Sequence, residues 1–249
     1  MAVGDLAHFG TVQSRRMILG AALGGVLGLA GVVSGGSEAV AGSPRRLGYR
    51  RVATGQWAVA LTFDDGPDPR FTPAVLDILA AHGARATFFV VGRRLQEHPS
   101  LVRRAVAEGH EVANHTLSHE RLDHLDRAGV RLQLEEGVAA ITALGLGPSA
   151  RPRLVRAPFG FEGEASRAEL ATGGWEVARW RGCLERHLHH DPSGTAGSRM
   201  AAAARPGDVL LAHDGGDDRS TTLRALPDLL EGLAGRSLAI TTIGGLQAH

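Results

Sequence analysis

The sequence predicts an α/β protein in which a parallel sheet is covered by helices. Apolar, β-prone runs alternate with helical patterns about seven times after residue 56, and this rhythm is typical of parallel sheets. Seven or eight strand–helix units in roughly 200 residues can close into a (β/α) barrel. An open doubly wound sheet is the alternative, although the first strand lacks the glycine-rich phosphate fingerprint of dinucleotide-binding folds.

The predicted strands are short runs rich in Val, Ile, Phe and Thr, the residue types that favour strands. In order, they are 57–63 (WAVALTF), 86–91 (ATFFVV), 110–115 (HEVANH), 153–159 (RLVRAPF), 175–180 (WEVARW), 208–213 (DVLLAH) and 238–243 (LAITTI).

Helices are predicted between these strands from apolar residues at helical spacing and from start and stop signals. Gly83 and Gly109 end the first two, and Pro99 suits the first turn of the second. Pro227 should kink the last helix or mark its true start. The predicted helices are 72–83, 99–109, about 126–144, about 164–171, 197–204 and 222–235.

The N-terminus predicts export from the cell. Arg15 and Arg16 precede an uncharged apolar run at 18–33, and small residues follow at 39–41. This order is typical of a signal peptide, and the arginine pair resembles the twin-arginine type. We therefore expect a signal at 1–41, a linker at 42–56 and a catalytic domain at 57–247 of a secreted or cell-envelope protein. A retained membrane anchor is the alternative.

The overall composition restricts the partners of the protein. A formal net charge of +1 over 249 residues gives no electrostatic reason to expect binding to nucleic acid or to an anionic membrane. The single cysteine, Cys183, cannot form an internal disulfide, and we interpret it as a buried small apolar residue. We expect a monomer with no stable membrane association after signal cleavage.

Chemically active side chains fall at the ends of four predicted strands. In barrel enzymes the C-terminal ends of the strands carry the active site. The sequence therefore predicts that carboxylate, imidazole and guanidinium groups meet at one rim. The strand-end residues are Asp64, Asp65, His115, Arg156, Pro158 and His213.

Two histidines and an aspartate predict a metal site. His115 and His119 are four residues apart, so both imidazoles can meet one ion if a helical turn begins there. A carboxylate from Asp64 or Asp65 completes two His and one carboxylate, which leaves coordination positions open. The other aspartate can serve as a base, kept ionised by Arg156. The residues alone leave open which aspartate has which role.

Four motifs occur in a fixed order: TFDDGP at 62–67, HTLSH at 115–119, RAPFG at 156–160 and LLAHDGG at 210–216. Together they resemble the polysaccharide deacetylases, carbohydrate esterase family 4 or NodB-homology domain, over about residues 57–246. The resemblance implies a distorted, incomplete (β/α) barrel with a single catalytic domain. It also implies metal-dependent removal of acetyl groups from N- or O-acetylated sugars.

The resemblance also assigns roles to individual residues. It implies that Asp64 is the general base, supported by Arg156, and that His213 is the acid that protonates the leaving group. The ligands of one divalent ion, usually zinc and sometimes cobalt or another metal, would be Asp65, His115 and His119. The substrate contacts would be the Phe159 N–H at the oxyanion, Leu211 at the acetyl methyl, and Pro158.

One region departs from the family pattern. The family has an Asp-x-x-Asp-Trp-like stretch after its fifth strand, whereas this chain reads RWRGCLERHLHHDPSG. Glu185 or Asp191 would have to pair with His213, and the sequence does not choose between them. We interpret the nearby His187, His189 and His190 as a solvated or locally basic loop, and a second metal site at these histidines is the alternative. Trp180 lies earlier, on the predicted fifth strand.

Four functions remain in competition. The first is an N-deacetylase of N-acetylglucosamine glycans of the peptidoglycan or chitin type. The second uses the same scaffold on acetylxylan esters or cyclic amides. A glycan-binding homologue without catalysis is the third, and intact acid and base residues argue against it. An iron oxygenase is the fourth, because it shares the two-His-one-carboxylate set.

Overall fold

The computed structural model describes residues 48–160, 162–189 and 194–248. The expected export signal at 1–41 lies outside them. The strands of the described chain are β1 (Ala58–Asp64), β2 (Thr87–Val90), β3 (Glu111–Asn114), β4 (Ala150–Val155), β5 (Glu176–Val177), β6 (Gly182–Cys183), β7 (Val209–His213) and β8 (Ala239–Thr241). The helices are α1 (Thr72–Ala81), α2 (Gly92–Glu97), α3 (Pro99–Ala107), α4 (Arg127–Thr142), α5 (Glu164–Thr172), α6 (Leu184–His189), α7 (Ala196–Ala203), α8 (Ser220–Gly235) and α9 (Ile243–Gln247).

The strands form one parallel sheet that curls into an incomplete barrel. Their order is β5-β4-β3-β2-β1-β7-β6, and β8 pairs with the first half of β1. From β1 to β5 each strand lies beside its predecessor, as in a barrel. Within the described residues no ladder joins the edge strands β5 and β6. The predicted distorted, incomplete barrel is confirmed, and the open doubly wound sheet is wrong.

The alternation of side chains along β1 decides which residues enter the barrel. Val59, Leu61 and Phe63 pack outward in the core cluster that lies under the helices. Ala58 and Ala60 point to the other face, in a second cluster that includes Ile243 and Leu246 of α9. Because successive side chains alternate, Thr62 and Asp64 continue this inward row. The small inward residues leave room for polar groups at the top of the barrel.

The N-terminal segment closes part of the gap between β5 and β7. The Tyr49 N–H donates to the Val177 carbonyl at 3.1 Å, and the Val52 N–H donates to the Gly207 carbonyl at 2.8 Å. Val52 is buried in the inner cluster. From Gly48 onward, the expected linker at 42–56 is therefore hydrogen-bonded into the sheet.

Several boundaries differ from the predictions. The sequence analysis missed α2, β6, α6 and α9, which have two to six residues each and are too short for a hydrophobic period to register. Helix α8 begins at Ser220 and continues through Pro227, so Pro227 does not mark its start. Strand β4 ends at Val155, so Arg156 and Pro158 lie just beyond it. Among the helices of the described segments, none has the length and hydropathy needed to cross a membrane.

Candidate active site

A cleft of about 270 Å³ opens at the C-terminal ends of the strands. Arg156 lies behind its wall, fully buried, and Pro158 is buried and is not among the lining residues. The structure therefore brings most of the predicted site residues to one rim. The cleft is lined by Asp64, Asp65, His115, His119, Phe159, Leu211 and His213, together with Trp180, Cys183, Arg186, Asp217 and Arg219.

Asp64 and Arg156 form a buried ion pair. Arg156 Nη1 donates to Asp64 Oδ1 at 2.7 Å and to Thr62 Oγ1 at 2.8 Å. The guanidinium carbon lies 4.1 Å from the centre of the Phe89 ring, so the cation is stacked as well as hydrogen-bonded. Because the Arg156 guanidinium is fixed by these contacts, its hydrogen bond holds the Asp64 carboxylate in one orientation.

Asp65 points to the two histidines. Its Oδ1 lies 2.9 Å from His119 Nε2 and 3.3 Å from His115 Nε2. Burial alone would raise the pKa of Asp65, but contacts with the two imidazoles outweigh it and hold the pKa far below its usual range. Asp65 has a φ of 73°, and this left-handed turn separates its direction from that of Asp64. The two adjacent aspartates therefore face different partners.

The two histidines meet through a loop and not through the expected helical turn. Thr116 and His119 both have left-handed backbone, with φ of 68° and 62°, and the ring centres of His115 and His119 lie 5.0 Å apart. Asn114 Oδ1 accepts the Thr116 N–H at 2.8 Å, and Thr116 Oγ1 accepts the His119 N–H at 3.1 Å. These hydrogen bonds hold the strained loop.

The sequence analysis missed the residues that surround Asp65. Arg219 Nη2 donates to Asp65 Oδ2 at 3.2 Å, and Arg94 Nη1 donates to the Asp65 carbonyl at 2.5 Å. A Cβ at Gly216 would lie 2.9 Å from Asp65 Oδ2, and one at Gly215 would lie 2.5 Å from the Asp65 carbonyl oxygen. The two glycines of the LLAHDGG motif thus leave room for both arginines. The place of Gly215 and Gly216 in this motif was the sequence signal that could have indicated close contacts around Asp65.

His213 pairs with Glu185, which resolves one open alternative. His213 Nδ1 lies 2.9 Å from Glu185 Oε2, while Asp191 is outside the described residues. Burial alone would lower the pKa of His213, but the Glu185 carboxylate outweighs it, and the charges of Asp64 and Asp65 add to the effect. The pKa of His213 is therefore raised above its ordinary value.

Cys183 is buried, as expected, but it also lines the cleft. Its thiol donates to Glu185 Oε2 at 3.4 Å. Burial and the nearby carboxylate raise the pKa of Cys183 to about 12, so the thiol is neutral in this environment. The interpretation of the neighbouring histidines as a loop is wrong for His187, which lies in helix α6. The side chains of His189 and His190 are outside the described residues.

Two aromatic residues flank the cleft. Phe159 has a φ of 59° and is 56% exposed, with its ring centre 4.7 Å from that of His119. Trp180 follows β5 and lies against Gly160, where a Cβ would lie 2.6 Å from the indole. Although the family's Asp-Trp stretch is missing, Trp180 supplies an aromatic wall from its earlier position.

The donor atoms of Asp65, His115 and His119 fit a divalent metal ion. One atom from each residue lies within 4.8 Å of the other two. His115 Nδ1 lies 2.8 Å from the Arg156 carbonyl, a contact that fixes the ring and leaves Nε2 facing Asp65. Two imidazoles and one carboxylate suit zinc or cobalt and leave positions open.

The chain is similar to known proteins along most of its length. A family model described as polysaccharide deacetylase matches residues 51–178. A chitooligosaccharide deacetylase of Sinorhizobium fredii is 37% identical over 203 residues, covering 78% of this chain and 93% of that protein. A peptidoglycan-N-acetylglucosamine deacetylase of Bacillus cereus is 33% identical, covering 76% and 87%.

A solved structure agrees with these similarities. The Bc1960 peptidoglycan N-acetylglucosamine deacetylase superimposes with a TM-score of 0.71 at 28% identity, covering 79% of this chain and 90% of that one. The incomplete barrel, the four ordered motifs and the matched family model all lead to one assignment. The chain belongs to the polysaccharide deacetylase family.

Proposed function

We propose that this hydrolase is a secreted, metal-dependent enzyme that removes N-acetyl groups from glycans containing N-acetylglucosamine, of the peptidoglycan or chitin type. One observation carries the proposal: the Asp64–Arg156 pair, the Asp65–His115–His119 cluster and the His213–Glu185 pair border a single cleft. A base, a metal-ligand set and an acid are the groups that metal-dependent amide hydrolysis uses.

The metal-ligand set and Asp64 have different roles in the proposed reaction. A divalent ion held by Asp65, His115 and His119 would supply Lewis-acid chemistry to the acetyl group and to the attacking water. Asp64 accepts a proton from that water, and Arg156 holds the Asp64 carboxylate in place through its 2.7 Å hydrogen bond.

On the opposite side, His213 donates a proton to the leaving nitrogen, because an amine is a poor leaving group until it is protonated. The Phe159 N–H stabilises the charge that develops on the acetyl oxygen. Leu211 borders the space for the acetyl methyl group, and Pro158 supports the turn that presents Phe159.

Acetate release from a panel of acetylated glycans tests this function. The purified chain, with and without chelator, is supplied with chitooligosaccharides, peptidoglycan and acetylated xylan. We expect release from the first two, loss of activity with chelator, and recovery with zinc or cobalt. Asp65→Ala and His119→Ala should lose the ion bound at the Asp65–His115–His119 set, and activity should be lost with it.

Other outcomes identify the competing functions. Acetate release from acetylated xylan alone would favour an O-deacetylase. Tight glycan binding with no acetate release in zinc-supplemented buffer would favour a glycan-binding homologue without catalysis. Full activity in metal-free protein would contradict the proposal. Export is tested separately: replacing Arg15 and Arg16 with Lys should block secretion if the twin-arginine route is used.

A further inference from the structure

A second set of metal-ligand atoms lies at the same cleft, outside the Asp65 cluster. Cys183, Glu185 and His213 each offer one ligand atom, and these atoms lie within 4.8 Å of one another. Cys183 and His213 both line the cleft. A cation that enters the cleft can therefore reach this set.

The protein holds the Glu185 carboxylate in a fixed orientation. Oε1 accepts the His213 backbone N–H at 3.0 Å and the Thr222 hydroxyl at 2.9 Å. Oε2 is left facing Cys183 Sγ at 3.4 Å and His213 Nδ1 at 2.9 Å. Three different ligand atoms thus converge, and the Glu185 carboxylate is oriented by hydrogen bonds to its other oxygen from the Thr222 hydroxyl and from the His213 backbone N–H, as is usual for metal ligands.

We propose that Cys183, Glu185 and His213 form a second, inhibitory binding site for a thiophilic divalent cation such as zinc. Thiolate, imidazole and carboxylate are the ligand types that zinc takes. Cys183 gives up its thiol proton to solvent as the metal–sulfur bond forms. A thiolate and a carboxylate then balance the two positive charges of the ion.

Inhibition follows from which nitrogen the ion occupies, and this step rests on the proposed role of His213 as the acid. An ion on Nδ1 replaces Glu185 as the partner of the ring. His213 can then no longer form the imidazolium that delivers a proton to the leaving nitrogen. Acetate release should fall once zinc exceeds the amount that the Asp65 site requires.

Direct metal binding tests the site without any enzyme assay. The metal-free full-length chain is titrated with cobalt(II) or cadmium(II), and thiolate-to-metal absorption is recorded. Cys183 is the only cysteine in the sequence, so such a band reports on this residue alone. We expect the band in wild type and in Asp65→Ala, with two ions bound per wild-type chain and one per Cys183→Ser chain.

Two further variants test the other ligands. Glu185→Gln should weaken the binding that produces the band at least tenfold. His187→Ala, on the same helix α6 but outside the set, should leave it unchanged. The proposed site is ruled out if wild type shows no absorption band, if Asp65→Ala abolishes the band, or if Glu185→Gln binds the metal ion as tightly as wild type.

The inhibitory effect is measured as acetate release against added zinc. Wild type should lose activity at a zinc concentration at least tenfold lower than that needed for Cys183→Ser or Cys183→Ala. Circular dichroism melting curves confirm that the variants fold. Equal sensitivity of all three proteins would overturn the inhibitory role. Absence of acetate release from all of them would refute the proposed function, while the absorption band would still decide whether the site exists.

Discussion

Among single residues, Arg219 contacts the proposed metal ligand Asp65 from outside the ligand set. Its guanidinium binds Oδ2 of Asp65, while Oδ1 faces the two imidazoles. The carboxylate is therefore held so that one oxygen is presented to the site. Partners of this kind typically account for 10–100-fold in metal affinity or activity.

We expect Arg219→Ala to weaken zinc binding about 10–100-fold, because Asp65 loses the contact that orients it. Competition with a chelating indicator measures this affinity. Arg224→Ala is the matched control, since Arg224 is an exposed arginine in the first turns of α8. Zinc affinity equal to wild type in Arg219→Ala would show that Asp65 is oriented without this contact.

The pH dependence of activity should report on the His213–Glu185 pair. His213 acts as an acid only when it is protonated, so kcat should fall as the pH rises through its raised pKa. Glu185→Gln removes the carboxylate that raises this pKa, and the alkaline limb of the kcat profile should move to lower pH. An alkaline limb that stays in place would exclude His213 as the titrating acid.

At the scale of secondary structure, helix α4 supports the loop that carries the two histidines. Asn114 Nδ2 donates to the Leu134 carbonyl at 2.9 Å, and the Leu117 N–H donates to the Gln133 carbonyl at 3.0 Å. Gly137 lies where a Cβ would overlap Asn114 Oδ1. The absence of a side chain at this position lets the loop and the helix come together.

Gly137→Ala should therefore destabilise the protein, although alanine favours an isolated helix by about 1 kcal/mol. Overpacking against Asn114 should reduce the free energy of unfolding by about 1–3 kcal/mol. Urea denaturation measures the change. Gly235→Ala, in α8 with no heavy atom near the added Cβ, is the control and should be neutral or stabilising. A stabilised Gly137→Ala protein would contradict the close contact.

At the scale of the whole molecule, the N-terminal segment takes part in the incomplete barrel. It fills space between β5 and β7 with backbone hydrogen bonds and with buried Val52. The Tyr49 hydroxyl adds a 2.6 Å hydrogen bond to Glu176. A segment that precedes the first strand thus contributes to the stability of the last part of the sheet.

A protein that begins at Gly55 should be less stable than one that begins at Gly48. Deleting the buried side chain of Val52 removes about 2 kcal/mol of hydrophobic stabilisation. For a domain of roughly 200 residues, this loss lowers Tm by about 4–8 °C. Thermal unfolding of both truncations measures the difference. Identical Tm values would mean that residues 48–54 do not stabilise the barrel.

The sequence by itself determined the alternation of strands and helices and the positions of Asp64, Asp65, His115 and His213 at strand ends. Both depend on local signals, because hydrophobic periodicity and turn residues act over a few neighbours. Short elements such as β6 and α6 give no such signal and were missed. The resemblance of four ordered motifs added the family, which the comparisons confirmed.

The tertiary structure alone decided which partners these residues have. Asp64 faces Arg156 while Asp65 faces the histidines, because the left-handed turn at Asp65 redirects one of two adjacent side chains. Glu185, and not a residue of the expected Asp-Trp stretch, contacts His213 across 28 positions of sequence. Contacts between residues so far apart depend on how the sheet curls, and no local pattern in the chain encodes that.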